Sequence, residues 1–274
     1  MNFNHQKNKK SLPAERQGFT LIEILIVIVI IGILAAVVVI TLAQSAKEKA
    51  RIAAGQQFAD SLRAKAVESI YGDSNEGHWL RFEDNIIDDW SSNAMTLNGA
   101  SSYSNGINGK ALEFNGSSTW ILPNNATGYY NAEFYEKTVE MWFKADDTLS
   151  IQTLYDEGGS GQGFWVGIDS NQINVAARHG SVQVTLSYPL TDNKWHHVAA
   201  SFNKGDLKLF FDDEEVGNVA TGFPVGTSGF PAIGGHGNGP GIGATGSSSD
   251  AYDNGGPNYF DGFIDDFRVS GVGI

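Results

Sequence analysis

The chain has 274 residues, no cysteine and a formal net charge of −13, which leaves no disulfide, thiolate metal site or cysteine nucleophile and gives an acidic body that repels nucleic acid and anionic lipid headgroups. This length predicts a large domain with an appendage rather than one core. Ahead of Phe19, Lys7, Lys9, Lys10 and Arg16 outweigh Glu15 by three charges, so a chain beginning at Phe19 would carry −16.

From Phe19 to Leu42 the sequence is apolar apart from one ionisable side chain, Glu23. As a helix rising about 1.5 Å per residue this run is about 36 Å long, enough to cross a hydrocarbon core of about 30 Å. An ordinary secretory signal has an apolar core of only about 7–15 residues, so the alternatives are a signal anchor or a retained membrane helix. A lone carboxylate at such a position costs about 2.5–3.5 kcal/mol and calls for a partner. Basic residues flank both ends, with Lys47, Lys49 and Arg51 following closely, so charge asymmetry does not orient the span.

After Leu42, Ala43, Ala46, Ala50, Ala53, Ala54, Phe58, Leu62, Ala66 and Ile70 recur near a 3.6-residue period. The spacing predicts one helix over 19–72, about 80 Å long, its second half amphipathic and packed on a following domain. Gly72 and the polar run to Gly77 stop it.

The junction Arg16-Gln17-Gly18-Phe19-Thr20-Leu21-Ile22-Glu23 resembles the signal sequence of type IV prepilins and pseudopilins. The resemblance implies a leader over 1–18, cleaved between Gly18 and Phe19 by a prepilin peptidase that methylates the new N-terminus, so the apolar helix is kept. It also implies that Glu23 pairs with the Phe19 amine of a neighbouring, identical or related subunit. Ile40 stands where many pilins carry proline, which favours a continuous helix, and Gly32 remains as a point of loosening.

Beyond His78 the period shifts toward two. Val139, Met141 and Phe143 share a face, as do Ile173, Val175 and Ala177, and then Val182, Val184 and Leu186. Turn signals at Asn115-Gly116, Arg178-His179-Gly180 and Lys204-Gly205-Asp206 separate such runs, which predicts an antiparallel sandwich or barrel. The adjacent His196 and His197 point to opposite faces of a strand and cannot share one ion from one face. Trp142 and Trp195 are read as packing residues, and Asp212-Asp213-Glu214-Glu215 as a solvated hairpin turn.

Five blocks, His78–Asp84, Gly109–Gly116, Val139–Lys144, Trp195–Phe202 with Leu207–Asp212, and Phe260–Arg268, together resemble laminin-G-like, concanavalin A-like jelly rolls. The fold class expected is therefore a pilin-type N-terminal α-helix followed by an all-β antiparallel jelly-roll sandwich over 73–274. The resemblance implies a structural Ca2+ held near Glu83, Asn115 and Asp265; calcium takes about 6–8 oxygens, and Asn115 supplies one negative charge fewer than the family's usual aspartate. Twelve of the 33 glycines lie between Gly222 and Asn258, and the stretch 234–258 reads as a long loop without the Lys-Ser/Thr ending of a phosphate loop.

Three functions compete. The first is a single-pass membrane precursor that becomes a subunit of an extracellular filament and displays the sandwich to a glycan or protein ligand. The second is a pseudopilin of a secretion or DNA-uptake machine. The third is a glycan hydrolase with paired carboxylates; no Glu-x-Asp-x-Glu run occurs in the sequence, so no enzyme is expected.

Overall fold

The computed structural model describes residues 18–70, 77–90, 95–122, 134–159, 162–223, 241–242 and 258–274. The leader up to residue 17, the expected helix stop at 72–76 and nearly all of the glycine-rich stretch 234–258 lie outside the described residues. The chain divides into two compact units, 1–49 and 50–274.

Helix α1 runs Leu21–Ile70 and is unbroken at Gly32 and Ile40, as expected where no proline interrupts the backbone hydrogen bonds. In the first unit its large apolar side chains stand 49–87 % exposed from Phe19 to Leu42. That stretch has the length and composition to cross a membrane.

The second unit begins with the remainder of α1. The strands follow in chain order: β1 Gly77–Leu80, β2 Thr96–Asn98, β3 Tyr103–Asn105, β4 Lys110–Asn115, β5 Trp120–Leu122, β6 Glu136–Ala145, β7 Gln152–Gly159, β8 Gln162–Asp169, β9 Gln172–His179, β10 Val182–Pro189, β11 His196–Asn203, β12 Asp206–Phe211, β13 Glu214–Ala220, β14 Gly241–Ile242 and β15 Asp261–Ser270. They form two antiparallel sheets. The larger is ordered β13-β12-β11-β6-β15-β4-β3 with β1 also on β15, and the smaller β10-β9-β8-β7-β14-β5-β2. Three hairpins turn through pairs of residues with positive φ, Ser170-Asn171, Lys204-Gly205 and Asp212-Asp213; two-residue turns of this type match the twist of the strands they join.

The alternation read from the sequence fills the core. Val139, Met141 and Phe143 from the larger sheet meet Phe164, Val166, Ile173, Val175 and Ala177 from the smaller, all essentially inaccessible. Val184 and Leu186 pack against this core, whereas Val182 at the start of β10 is exposed.

The outer face of the larger sheet is also buried, because α1 lies on it from Ala50 onward. Phe58 and Leu62 pack on Ala199 and Phe210, and the Phe58 ring meets the edge of His197 at 5.9 Å. A side chain at Gly55 would bring Cβ within 2.7 Å of the Trp142 ring, so glycine there sets how closely the helix approaches. Of the apolar face expected over Ala50–Leu62, Phe58 and Leu62 dock and Ala54 is half-buried, whereas Ala50 and Ala53 are exposed and Gly55 and Ala59 are buried in their stead.

Candidate functional site

At the start of α1, Thr20 and Glu23 form a reciprocal cap. The Glu23 amide donates to Thr20 Oγ1 at 3.3 Å, while the Thr20 amide and hydroxyl both donate to Glu23 Oε2 at 2.8 Å. This Thr-x-x-Glu capping box satisfies two of the donors that a helix start leaves open. Gly18 and Phe19 precede the helix and are exposed. Glu23 therefore caps the helix start, a role that the sequence reading, which takes up only its charge, does not include.

The second site is built by an irregularity in β15. Its register against β6 shifts between Asp265 and Arg268, and Asp266 sits at φ 52°; such a bulge re-aims side chains that a regular strand would alternate. Asp265 Oδ2 accepts the amides of Ile107 and Asn108 at 2.7 and 2.9 Å, while Asp265 Oδ1 is buried with no hydrogen-bond partner. Glu83 approaches the same 106–110 loop from the segment after β1, accepting the Lys110 amide at 3.3 Å. A Cβ at Gly109, where φ is 98°, would collide with the Glu83 carboxylate. Burial pushes the Asp265 carboxyl up to about 7, the charges of Asp266 and Glu83 add to the rise, and the amides of Asn108 and Ile107 oppose it.

Asn115 is placed elsewhere. It ends β4 opposite Asp261, and its Oδ1 accepts the amides of Ser117, Ser118 and Thr119 at 3.1, 2.9 and 3.0 Å. An Asx side chain that closes its own turn in this way has its acceptor oxygen in use. The structure thus brings Glu83 and Asp265 to one loop and leaves Asn115 in another turn. Among the described residues, no group of three or more His, Asp or Glu side chains is gathered to hold a metal.

Beside this loop, Asp266 accepts from the Trp79 indole, from Asn108 Nδ2 at 3.1 Å and from Arg268 at 2.7 Å. Arg268 also donates to Glu140 Oε1 and to the Ala59 carbonyl of α1, both at 3.1 Å. Further along, Arg51 of α1 pairs with Asp212 at 2.5 Å and donates to the Trp195 carbonyl. Asp212 in turn accepts the His197 amide at 3.0 Å and lies 2.8 Å from His196 Nδ1. The hairpin read as merely solvated therefore contributes one carboxylate to helix docking. His196 and His197 diverge as expected: His196 stacks on Phe211, and His197 turns toward Glu140, Trp142 and Phe58.

The side of the smaller sheet away from the core carries a different chemistry, and on it Trp165, Thr153, Ala176 and Asn174 are buried. Trp165 donates to Thr153 Oγ1 at 2.9 Å and Ser187 to Asn174 Oδ1 at 2.6 Å, Ala176 packs on Trp165, and Gln183, Thr185 and Ser187 are exposed. This face carries small and polar residues around one indole.

A two-sheet antiparallel sandwich of this strand order resembles the lectin-like jelly rolls. The chain belongs to the concanavalin A-like lectin/glucanases superfamily, whose laminin-G-type profile matches residues 114–272. Residues 14–39 match the prokaryotic N-terminal methylation motif, so a prepilin-like N-terminus and helix are joined to a lectin-like sandwich. Among solved structures, the chain resembles domain 4 of AbnA, an extracellular arabinanase from Geobacillus stearothermophilus, solved with arabinotriose. That likeness is at 17 % identity and TM-score 0.54, over 73 % of this chain and 95 % of that one. It also resembles a botulinum neurotoxin type C structure described for its interaction with two ganglioside molecules, at 12 % identity and TM-score 0.54 over 75 % of this chain. The binding domain of botulinum neurotoxin DC in complex with SialylT gives 13 % identity and TM-score 0.53 over 73 % of this chain. The chain spans about half the length of these two toxin chains. At such identities the likeness establishes the fold. No curated protein sequence matches the chain.

Proposed function

We propose that the chain is a non-enzymatic, pilin-like subunit, processed at Gly18–Phe19 by a prepilin peptidase, assembled through its N-terminal helix into an extracellular filament, and displaying the sandwich for adhesion. The observation that carries this reading is the coincidence of the methylation motif at 14–39 with a helix whose apolar side chains are exposed on every side. Such a surface needs lipid before assembly and sister helices after it. The exposed polar residues of β10 on the smaller sheet, Gln183, Thr185 and Ser187, are the surface assigned to a glycan or protein ligand, in keeping with the sugar-bound structures of the same fold. The test is to shear filaments from expressing cells and determine the mature N-terminus. A methylated Phe19 in the filament fraction is expected; a mature protein lacking residues 19–42 overturns the reading, and recovery only in short periplasm-spanning assemblies favours a pseudopilin.

Calcium is proposed as a structural ligand of Glu83 and Asp265, with carbonyls of the 106–110 loop and water completing the oxygens it requires. The buried, unpartnered Asp265 Oδ1 supports this, and Asn115 is left out of the ligand set. Calcium is expected to stabilise the full chain in thermal unfolding, by about 2.7 kcal/mol at a hundredfold excess over Kd, and Asp265→Asn or Glu83→Gln to abolish the increment while Asn115→Ala keeps it. In chelator, Asp265 binds its proton more tightly folded than unfolded, since its carboxyl is raised from 3.8 to about 7. Its contribution to stability is therefore present below about pH 4 and lost as pH rises to about 7; Asp265→Asn flattens this slope. An increment that survives in Asp265→Asn rules the site out.

A further inference from the structure

Between the two sheets, Lys137 of β6 and Glu157 of β7 are wholly buried. Lys137 Nζ lies 2.8 Å from Glu157 Oε1 and 2.7 Å from Oε2, and the Tyr155 hydroxyl donates to Oε2 at 2.6 Å. The Phe134 ring covers the amine, its centroid 4.1 Å from Nζ. Neither the helix nor the carboxylate loop uses these groups. We propose that Lys137 and Glu157 are a site of self-catalysed covalent modification, in which amine and carboxyl condense to an amide that ties the larger sheet to the smaller.

Three features of the geometry point this way. First, a fully buried ion pair keeps two desolvated charges, each at a solvation penalty, whereas an amide has none. Burial pushes the Lys137 amine down against the pull of Glu157, and pushes the Glu157 carboxyl up against Lys137 and Tyr155. Both shifts favour the neutral amine and neutral acid that the condensation consumes. Second, two groups held in contact react with effective molarities of about 10⁵–10⁸ M, which lowers the barrier to a step that is slow between free molecules in water. Third, the amine faces both carboxyl oxygens and so sits against the carboxyl carbon; rotation about the last torsion of Glu157, a soft one, presents that carbon to the Nζ lone pair.

The step balances without a co-reactant. The Nζ–Cδ bond forms and the Cδ–Oε2 bond breaks. Tyr155 gives its proton to the departing hydroxyl, which leaves as water, and recovers a proton from Nζ. A neutral amine and a neutral acid thus become one amide and one water, with no change in oxidation state.

Intact mass and peptide mapping of the full chain, purified in detergent from expressing cells, test the proposal. The expected result is a chain lighter by one water than its processed sequence, and a branched peptide joining the Lys137 and Glu157 segments. In Glu157→Gln the loss becomes one ammonia, and in Lys137→Arg the chain keeps its full mass. Full mass in the wild type, with Lys137 and Glu157 in separate linear peptides, overturns it. The wild-type measurement is decisive even where a variant fails to fold.

Discussion

Replacing Arg268 by methionine is expected to destabilise the chain by about 3–5 kcal/mol, the range for removing one partner from a buried charge cluster. Arg268 is 4 % exposed and holds two buried carboxylates, those of Glu140 and Asp266. Burial opposes its charge, but Glu140 and Asp266 more than offset this and hold its pKa above the ordinary guanidinium value. Methionine fills the stem's volume and leaves both acids without their cation. It also removes the donor to the Ala59 carbonyl, so α1 loses a tie to the larger sheet in the same change. Urea unfolding of the detergent-solubilised chain measures the loss, and limited proteolysis near Ala59 reads whether the helix is released. A midpoint shift worth less than about 1 kcal/mol, the range of exposed ion pairs, would show that the network is solvated rather than buried. Arg268→Lys is expected to fall between, because a point charge cannot donate in the planar fork that reaches Glu140, Asp266 and Ala59 together.

That network also shows where sequence reading ran out. The alternation in β6 places Val139, Met141 and Phe143 inward, and the structure agrees. The same alternation assigns Glu140 and Trp142 to the outer face but cannot say that a helix buries them, since that depends on residues some 80 positions earlier in the chain. The bulge at Asp265–Arg268 leaves no trace in residue type: Asp266 holds a positive φ without a glycine to announce it. Family resemblance groups Asn115 with Glu83 and Asp265, whereas three turn amides engage its oxygen. In sequence Asp212 is one of four equivalent turn acids, and only its position against Arg51 and the His197 amide distinguishes it. The Thr20-x-x-Glu23 box is legible in four letters, but the apolar run around it is the stronger signal.

The box makes the role of Glu23 separable by experiment. Glutamine at the third position of a capping box still reaches back to the cap residue, so Glu23→Gln keeps the helix start and removes the charge. Thr20→Ala does the reverse, weakening the cap by about 0.5–2 kcal/mol while leaving the carboxylate. If the carboxylate pairs with the amine of a sister subunit, Glu23→Gln is expected to reduce sheared filaments by tenfold or more, since about 1.4 kcal/mol per contact already shifts each addition tenfold. Thr20→Ala is then expected to assemble nearly as well as the wild type. Substitution of Gly18 by a bulky residue acts one step earlier: the precursor accumulates in the membrane with its leader attached, and no filament forms. Immunoblots of membrane and sheared fractions distinguish the three variants by mass and location. The reverse ranking, with Thr20→Ala failing and Glu23→Gln assembling, would mean that Glu23 serves helix capping alone and that its pairing with a sister amine is wrong.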